Sequence, residues 1–309
     1  MRFGMSLGGE SRLSGFLEQI AMFEEAGVDT AWCSQLFGVD ALTMFAVAGT
    51  MTERIRFGTS VIPTRSRHPL VLASQALTTS AATDGRLLLG VGSSHRALVE
   101  GALGQSYDRP AAHLREYVEV LRRAIDGERF EHHGEFLDVD TTTDFGRARV
   151  VDAPAPTVLV GTMFPLSLKV AGALADGVVT WLVGLRTLTD VIAPISSEAA
   201  TAAGRPRPEV IAGVPMAVCA AGEVAAQNDL VNRTLERFTK LPVYESVLER
   251  EHATCPADLA LIGDEHAVAA RLAEFADAGI DEVHGVCFGD PATFERTSAL
   301  LGTLARSRG

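Results

Sequence analysis

Residues 55–95 read IRFGTSVIPTRSRHPLVLASQALTTSAATDGRLLLGVGSSH, and this stretch decides the fold. An apolar-leaning run over residues 55–61 is followed by a polar, basic loop. Pro69 then suits the first turn of a helix, where its missing N–H costs nothing. A second apolar run occupies residues 87–91. Two continuous apolar strands joined by a helix predict a βαβ unit, which is typical of a parallel sheet covered on both faces.

The same alternation of apolar runs and amphipathic segments extends to both ends of the chain. It predicts a closed (β/α)₈ TIM barrel, a single domain over residues 1–309 with insertions after strands four and seven. An open doubly wound sheet is the alternative. We treat its dinucleotide loop as absent, because His95 stands where the third glycine of a motif starting at Gly90 belongs. The predicted strands are residues 2–7, 30–33, 55–61, 87–91, 157–160, 178–182, 210–219 and 282–288.

Composition narrows the classes of function. The chain has 309 residues, 47% of them hydrophobic, so it can bury a large core. A formal charge of −12 argues against a nucleic-acid-binding surface. The absence of a secretion signal and of a membrane-spanning apolar run leads us to expect a cytoplasmic protein. The cysteines are far apart without a CxxC, which favours reduced thiols over disulfides or a zinc site: Cys33, Cys219, Cys255 and Cys287.

Few side chains with classical catalytic chemistry follow the predicted strands. In a (β/α)₈ barrel the reaction takes place at the C-terminal ends of the strands. The sequence contains neither HExxH nor GxSxG, and no paired-carboxylate or metal-ligand arrangement is visible. His95 is the only titratable side chain close to a predicted strand end. This scarcity predicts that a cofactor carries the difficult chemistry and that the protein binds and orients it.

A series of short sequence words resembles the bacterial luciferase-like superfamily, and within it the branch that uses the deazaflavin coenzyme F420. Each word is weak alone, but their order and spacing are specific, and they cover nearly the whole chain. The resemblance implies the (β/α)₈ fold of the luciferase-like type, an active site at the strand C-termini and a homodimer. The words include EEAGVDTAW (24–32), FGTSV (57–61), RHP (67–69), GRL (85–87), LGVG (89–92), AGALADG (171–177), IGD (262–264) and AGI (278–280).

The resemblance also implies where the cofactor binds. The family's third strand ends in a bulge with a non-prolyl cis peptide behind the flavin-like ring, which by position is Ser60-Val61; the alternative is an ordinary strand end. Gln35 is expected to hydrogen-bond to the ring edge. Gly92 and Ser93 belong to a small-residue run that lets a planar ring approach the backbone. The cofactor phosphate is expected at the turn after strand five, which is otherwise a plain turn, with the matching residues Gly161, Thr162, Met163, Phe164 and Ser167.

His95 ends strand four, where some relatives place a catalytic carboxylate. It is the candidate proton donor beside hydride transfer, because the pKa of histidine is readily moved around neutrality; the alternative is a residue that stacks on or hydrogen-bonds to the ring. Phe37 and Trp181 are candidates for the substrate pocket, although Trp181 could instead fill the barrel. Gln35 and Leu36 stand where sugar-phosphate dehydrogenases of the family have an acidic residue and a histidine, which weakens that assignment.

Three basic residues follow the third strand in an otherwise acidic protein. Arg65, Arg67 and His68 could bind the polyanionic tail of the coenzyme or a phosphate. Equally, they could be a solvated loop in which His68 caps the next helix. Two further histidines are interpreted as structural, His284 as a satisfied core residue within strand eight and His113 on a helix.

Together these features predict an F420-dependent oxidoreductase. A hydride would pass between C5 of the deazaflavin and a small organic substrate, with an F420 or flavin reductase as the electron source. The first alternative is an FMN-dependent monooxygenase supplied with reduced flavin by a partner reductase. The second is a relative that binds flavin or deazaflavin without turnover. The substrate is not identified, since the loops that would line its pocket are the least patterned part of the chain.

Overall fold

The computed structural model describes residues 1–9, 12–143 and 146–308, and strands alternate with helices along them. The strands are β1 (Arg2–Ser6), β2 (Thr30–Cys33), β3 (Arg56–Thr59), β4 (Ile62–Pro63), β5 (Leu87–Gly92), β6 (Glu131–His133), β7 (Asp138–Asp140), β8 (Thr157–Gly161), β9 (Gly177–Trp181), β10 (Glu209–Val218), β11 (Leu261–Gly263) and β12 (Glu282–Cys287). The helices are α1 (Leu13–Ala26), α2 (Ala41–Gly49), α3 (Pro69–Ala82), α4 (Pro110–Ile125), α5 (Pro165–Leu174), α6 (Leu185–Thr187), α7 (Ala193–Ala202), α8 (Val224–Thr239), α9 (Pro242–Glu251), α10 (Glu265–Asp277) and α11 (Pro291–Arg306).

A first compact unit contains the described residues of Met1–Trp32, Val179–Ile195 and Glu209–Gly309. Its strands are parallel: β12 lies between β1 and β10, β2 lies beside β1, and both β9 and β11 pair with β10. In the register, Gly4 lies opposite His284. Because the strands run in one direction, their C-terminal ends lie at the same edge of the sheet.

A second compact unit contains Cys33–Val178 and Ser196–Pro208. Within it β5 is the central strand, and β3, β4 and β8 pair with it in parallel. All six residues of β5 are buried, which explains its continuous apolar sequence. The insertion after β5 contains a π-helical turn, α4 and the antiparallel hairpin of β6 and β7. The insertions predicted after strands four and seven are both present, the second containing α8, α9 and β11.

The predicted strand over residues 55–61 is wrong in its continuity. Strand β3 stops at Thr59, and β4 resumes the pairing with β5 at Ile62. The two intervening residues are joined by a cis peptide bond, Ser60–Val61, as the family resemblance predicts. Two separate strands therefore occupy one edge of β5, since Phe57 lies opposite Leu87 while Ile62 lies opposite Val91.

Side-chain caps define several helix starts of this unit and of the first. The carboxylate of Asp40 accepts from the backbone N–H of Thr43 at the start of α2, and the carboxylates of Asp264 and Asp290 do the same for α10 and α11.

No helix in the described part of the chain combines the length and the apolar character that crossing a membrane requires. The prediction of a single domain over residues 1–309 stays a prediction.

Candidate active site

The Ser60–Val61 segment lies at the C-terminal ends of the strands of the second unit. The backbone N–H of Ser60 donates to the carbonyl of Cys33 at 2.9 Å, and the Ser60 carbonyl accepts from the hydroxyl of Ser34 at 2.8 Å. Ser60 and Val61 are both partly exposed. The backbone of the segment is therefore fixed by the end of β2 while one side of it stays accessible.

The Thr59 side chain hydrogen-bonds to backbone groups of Gly90 that the break in the strand would otherwise leave unpaired. Its hydroxyl accepts from the N–H of Gly90 at 2.8 Å and donates to the Gly90 carbonyl at 2.8 Å. Both partners are buried, where unpaired polar groups are costly. The sequence analysis missed this residue. The available signal was a hydroxyl side chain directly before the predicted bulge and opposite a glycine strand.

Glycines around Val61 make room for its side chain. A Cβ on Gly161 would lie 2.5 Å from Cγ1 of Val61, and a Cβ on Gly92 would lie 2.9 Å from its Cγ2. A Cβ on Gly90 would collide with the Thr59 carbonyl oxygen. The small residues of β5 are expected to admit a planar ring. At Gly92 the atoms nearest to an added Cβ belong to Val61 and to the Gly161 carbonyl, and a contact of Gly92 with a cofactor stays a prediction.

His95 stands on an exposed turn that follows β5. Its carbonyl accepts from the backbone N–H groups of Leu98 and Val99, so it begins the π-helical turn Ala97–Ala102. The preceding Ser94 has φ of +60°, and its carbonyl accepts from the Tyr107 hydroxyl at 2.7 Å. The backbone around His95 is thus held near the end of β5 by hydrogen bonds on both sides of the residue. A proton-donating role for His95 stays a prediction.

Ser93 hydrogen-bonds weakly from its hydroxyl to the Pro110 carbonyl, at 3.4 Å. Gln35 uses its side-chain amide within its own loop. The Nε2 atom donates to the Leu36 carbonyl at 2.6 Å, and Oε1 accepts from the N–H of Ala41 at 2.8 Å. These contacts hold the loop after β2, on which Phe37 is exposed over 67% of its surface. Contacts of Gln35 and Ser93 with a cofactor, and of Phe37 with a substrate, stay predictions.

The start of α5 follows the end of β8. The Thr162 hydroxyl accepts from the backbone N–H of Phe164 at 3.1 Å, and the helix start has no side-chain cap. Ser167 is buried within the first turn, whereas Phe164 is exposed and Met163 is half-buried. The backbone N–H groups of this turn suit an anion, and binding of a cofactor phosphate here stays a prediction.

The three basic residues of the loop after β4 have different environments. Arg67 forms an ion pair with Asp40 and donates to Gln75 at 3.1 Å, and His68 caps α3 through Nδ1. Burial lowers the pKa of His68. Both residues therefore have partners within the protein, and the predicted helix cap by His68 is confirmed. Arg65 has a different environment, described below.

The structural histidines are both buried. Burial lowers the pKa of His113 to about 4, with a further contribution from the positive charge of Arg65. In the first unit, His284 stacks on Trp32 with ring centroids 5.0 Å apart, and its Nδ1 contacts the Ser6 hydroxyl at 2.9 Å. Burial lowers its pKa to about 3. Its Nε2 has no partner among the described residues, so the expected satisfied histidine is satisfied at one nitrogen only.

Trp181 ends β9 in the first unit, where its ring lies 6.5 Å from that of Phe288 in a tilted arrangement. Both aromatic residues are at C-terminal strand ends. Trp181 is half-buried, so it neither fills a sealed core nor stands free on the surface. Its assignment to a substrate pocket stays a prediction.

Comparison with known proteins identifies the family of the chain. The family model for luciferase-like monooxygenases matches residues 1–282. The chain belongs to this family. An F420-dependent glucose-6-phosphate dehydrogenase of Nocardia farcinica is 32% identical over 200 residues, which is 59% of this chain and 57% of that protein. The chain thus matches little more than half the length of this curated relative, and another relative, at 34% identity, is matched over 55% of its length.

Solved structures of the family share the fold. The coenzyme F420-dependent tetrahydromethanopterin reductase of Methanopyrus kandleri superposes with a TM-score of 0.82 at 21% identity, covering 97% of both chains. An FMN-bound type II Baeyer-Villiger monooxygenase of Pseudomonas putida gives a TM-score of 0.79 at 18% identity, covering 100% of this chain and 98% of that one. The fold is therefore the luciferase-like (β/α)₈ barrel, as predicted.

Proposed function

We propose that the chain is an F420-dependent oxidoreductase that transfers a hydride between the deazaflavin and a small organic substrate. The observation that carries this proposal is the Ser60–Val61 segment, which Thr59, Ser34 and the glycines of β5 and β8 fix at the strand ends with one side accessible. Family membership and the F420-dependent relatives support the choice of cofactor.

The residues present fit a flat ring with an anionic tail. Ser60 and Val61 offer a partly exposed backbone surface, and the uncapped start of α5 offers N–H groups to a phosphate. When bound, F420 supplies a hydride donor or acceptor at C5. The residues that we propose hold it are Gln35, Ser60, Val61, Gly92, Ser93, Gly161, Thr162, Met163, Phe164 and Ser167.

The protein itself would orient the cofactor and the substrate and would transfer one proton. We propose that the imidazole of His95 donates a proton to the reduced substrate, or accepts one in the reverse direction. Phe37 and Trp181 would contact the substrate with apolar surface. The electron source would be a separate reductase, and the protein would work in the cytoplasm.

Direct titration distinguishes F420 from FMN. We expect the purified protein to bind F420 more tightly than FMN, with the intrinsic fluorescence of each cofactor as the signal. FMN is the second candidate, because an FMN-bound monooxygenase shares the fold. Equal or reversed affinities would contradict the F420 proposal and favour the monooxygenase.

We further propose that the protein is a homodimer joined through α2 and α3. These two helices contain no charged residue, although 21% of the chain is charged. They nevertheless expose Val47 and Val71, and Met51 is exposed just after α2. An uncharged, partly apolar surface of this kind is characteristic of a protein–protein contact.

A further inference from the structure

Arg65 is singular among the arginines of residues 65–109. Arg67 is paired with Asp40, Arg96 with Glu100 and Arg109 with Glu135. The remaining one, Arg86, donates to four backbone carbonyls and one hydroxyl: Gly49, Thr52, Ile55 and Thr83, and the Thr52 hydroxyl. Within the described residues, the guanidinium of Arg65 has neither an ion pair nor a hydrogen bond.

Packing nevertheless holds this guanidinium in place. Its Cζ lies 5.6 Å from the ring centroid of Phe136, and the same ring contacts the guanidinium of Arg109 at 6.0 Å. The backbone of Arg65 is fixed as well, because Gln105 donates to its carbonyl at 2.9 Å. The side chain is therefore preorganised, with its N–H groups left for another partner.

The charge of Arg65 is poorly compensated. Partial burial lowers its pKa, and the negative charge of Asp108 and the hydroxyl of Tyr107 offset this only in part. The whole chain carries a formal charge of −12, so an anionic ligand is repelled by the protein in general. A partly buried arginine without an ion pair among the described residues supplies the local attraction that such a ligand needs.

Arg65 also lies next to the proposed ring site. Thr64, the preceding residue, donates its N–H to the carbonyl of Gly92 at 2.9 Å, which places the loop at the C-terminal end of β5. Arg65 is four positions after Val61 in the chain, a span of at most about 14 Å for an extended chain. A ligand on the Ser60–Val61 segment can therefore reach Arg65 with a flexible acidic arm.

We propose that Arg65 binds an acidic group, a carboxylate or a phosphate, of a ligand held at the Ser60–Val61 segment. This proposal rests on the proposed function, because that function places a ligand at the Ser60–Val61 segment. The acidic group could belong to the cofactor tail or to the substrate. The planar guanidinium of Arg65, with the Phe136 ring beside it, suits either source, since it can donate two parallel hydrogen bonds to a pair of oxygens.

The cofactor arm of the test compares F420 with its core FO, which lacks the phosphate and the glutamates. Arg65→Gln keeps the length of the side chain and removes the charge, and Arg65→Lys keeps the charge and removes the fork. If the acidic group is on the cofactor, Arg65→Gln weakens binding of F420 about 10- to 100-fold and leaves FO unchanged, with Arg65→Lys between. Arg109→Gln is the matched control, because Arg109 contacts the same ring but already has Glu135 as its partner.

The substrate arm compares unsaturated and 2-oxo acids with their methyl esters in turnover assays. If the acidic group is on the substrate, Arg65→Gln raises KM for the acids about 10- to 100-fold, leaves the esters unchanged and does not alter F420 affinity. Unchanged behaviour in both arms would overturn the proposal. An equal loss for F420 and FO, or for acids and esters, would overturn it too, because Arg65 would then act through packing.

Failure of the proposed function gives a separate result. If the wild-type protein binds neither F420 nor FO but does bind flavin, the cofactor proposal is wrong while Arg65 is still testable. FMN and riboflavin then form the matched pair, since they differ by the phosphate. Loss of FMN binding alone in Arg65→Gln would support the anion role, and equal binding of each by the variant and the wild type would overturn it.

Discussion

His95 is exposed on the turn after β5, and its backbone is held by Leu98 and Val99. If its imidazole is the proton donor, His95→Gln should lower turnover by about 10²–10⁴, the usual contribution of a positioned acid–base group. Cofactor affinity should stay nearly unchanged, because glutamine has similar size and also forms hydrogen bonds. The measurements are the steady-state rate as a function of pH and a fluorescence titration.

A matched control for this substitution is His133→Gln. His133 is also exposed but lies on β6, where its Nδ1 contacts Asp138 at 2.7 Å. We expect normal turnover in that variant. Normal turnover with weakened cofactor binding in His95→Gln would instead assign His95 to ring binding and leave the proton to water or to another group.

Val61 and Gly161 should be energetically coupled. The three nearest atoms to a Cβ on Gly161 all belong to Val61, so Gly161→Ala should cost about 1–3 kcal/mol in unfolding free energy through overpacking. Val61→Ala should recover much of that loss in the double variant, with a coupling energy of about 0.5–3 kcal/mol. Denaturant unfolding of the four proteins in the cycle measures it.

Gly90 provides the contrasting case. Its Cβ would meet the backbone carbonyl of Thr59, which no side-chain truncation at Val61 can move. Gly90→Ala should therefore stay destabilised in the Val61→Ala background. Recovery at Gly90, or additivity between Gly161 and Val61, would contradict the packing described here.

At the scale of elements, the Asp40 carboxylate joins the start of α2 to the loop before α3. Burial opposes its ionisation, but hydrogen bonds from Thr43 and the charge of Arg67 outweigh this and lower the pKa of Asp40. A carboxyl with a lowered folded-state pKa contributes stability above its unfolded-state pKa of about 3.9 and loses it as the pH falls through the folded value. The contribution of Asp40 should thus be complete at pH 7 and decrease progressively as the pH falls below about 4.

Substitution separates the cap from the ion pair. Asp40→Ala should lower the free energy of unfolding at pH 7 by about 1–2 kcal/mol. Asp40→Asn should cost less, because asparagine also caps, and its deficit should shrink below about pH 4. Asp264 is the control, since it caps α10 by accepting from Ala267 without an ion pair among the described residues. A cost for Asp264→Asn equal to that for Asp40→Asn would exclude the Arg67 pair as the cause.

The helices and strands could be predicted from the sequence wherever a single hydrophobic period in the local sequence determines them. The apolar run of β5 and the proline start of α3 gave accurate strands and helices. The break between Thr59 and Ile62 was not predictable from periodicity, because it depends on a hydroxyl bonding to Gly90, 31 residues later. The π-helical turn Leu188–Ile192, which lies between α6 and α7, is likewise not marked by hydrophobic periodicity.

The site was predictable only through resemblance to a family. The position of the Ser60–Val61 bulge followed from matched sequence words, whereas the hydrogen bonds that hold it, from Ser34 and Thr59, involve distant partners. The different contacts of two neighbouring arginines could not be predicted from the sequence either. Arg65 and Arg67 have the same side chain two residues apart, and only the positions of Asp40 and Phe136 distinguish them.

At the scale of the whole molecule, the uncharged surface of α2 and α3 has a consequence for assembly. The two helices pack on each other, with the Thr79 hydroxyl donating to the Leu42 carbonyl at 3.3 Å. Val71 is exposed over 53% of its surface and Met51 over 62%. A stable homodimer would bury such a surface in an interface of about 1,200–2,000 Å² or more.

We therefore expect the wild-type protein to be a dimer by light scattering at micromolar concentration, and Val47→Glu with Val71→Glu to make it a monomer. Placing carboxylates in a buried apolar contact leaves them without partners, and such unpaired charges cost several kcal/mol in a dry interface. Leu13→Glu is the control, because Leu13 is similarly exposed but lies on α1, and that variant should stay dimeric. A monomeric wild type would contradict the dimer. A dimeric double variant would place the interface elsewhere and leave the missing charge on α2 and α3 without its explanation.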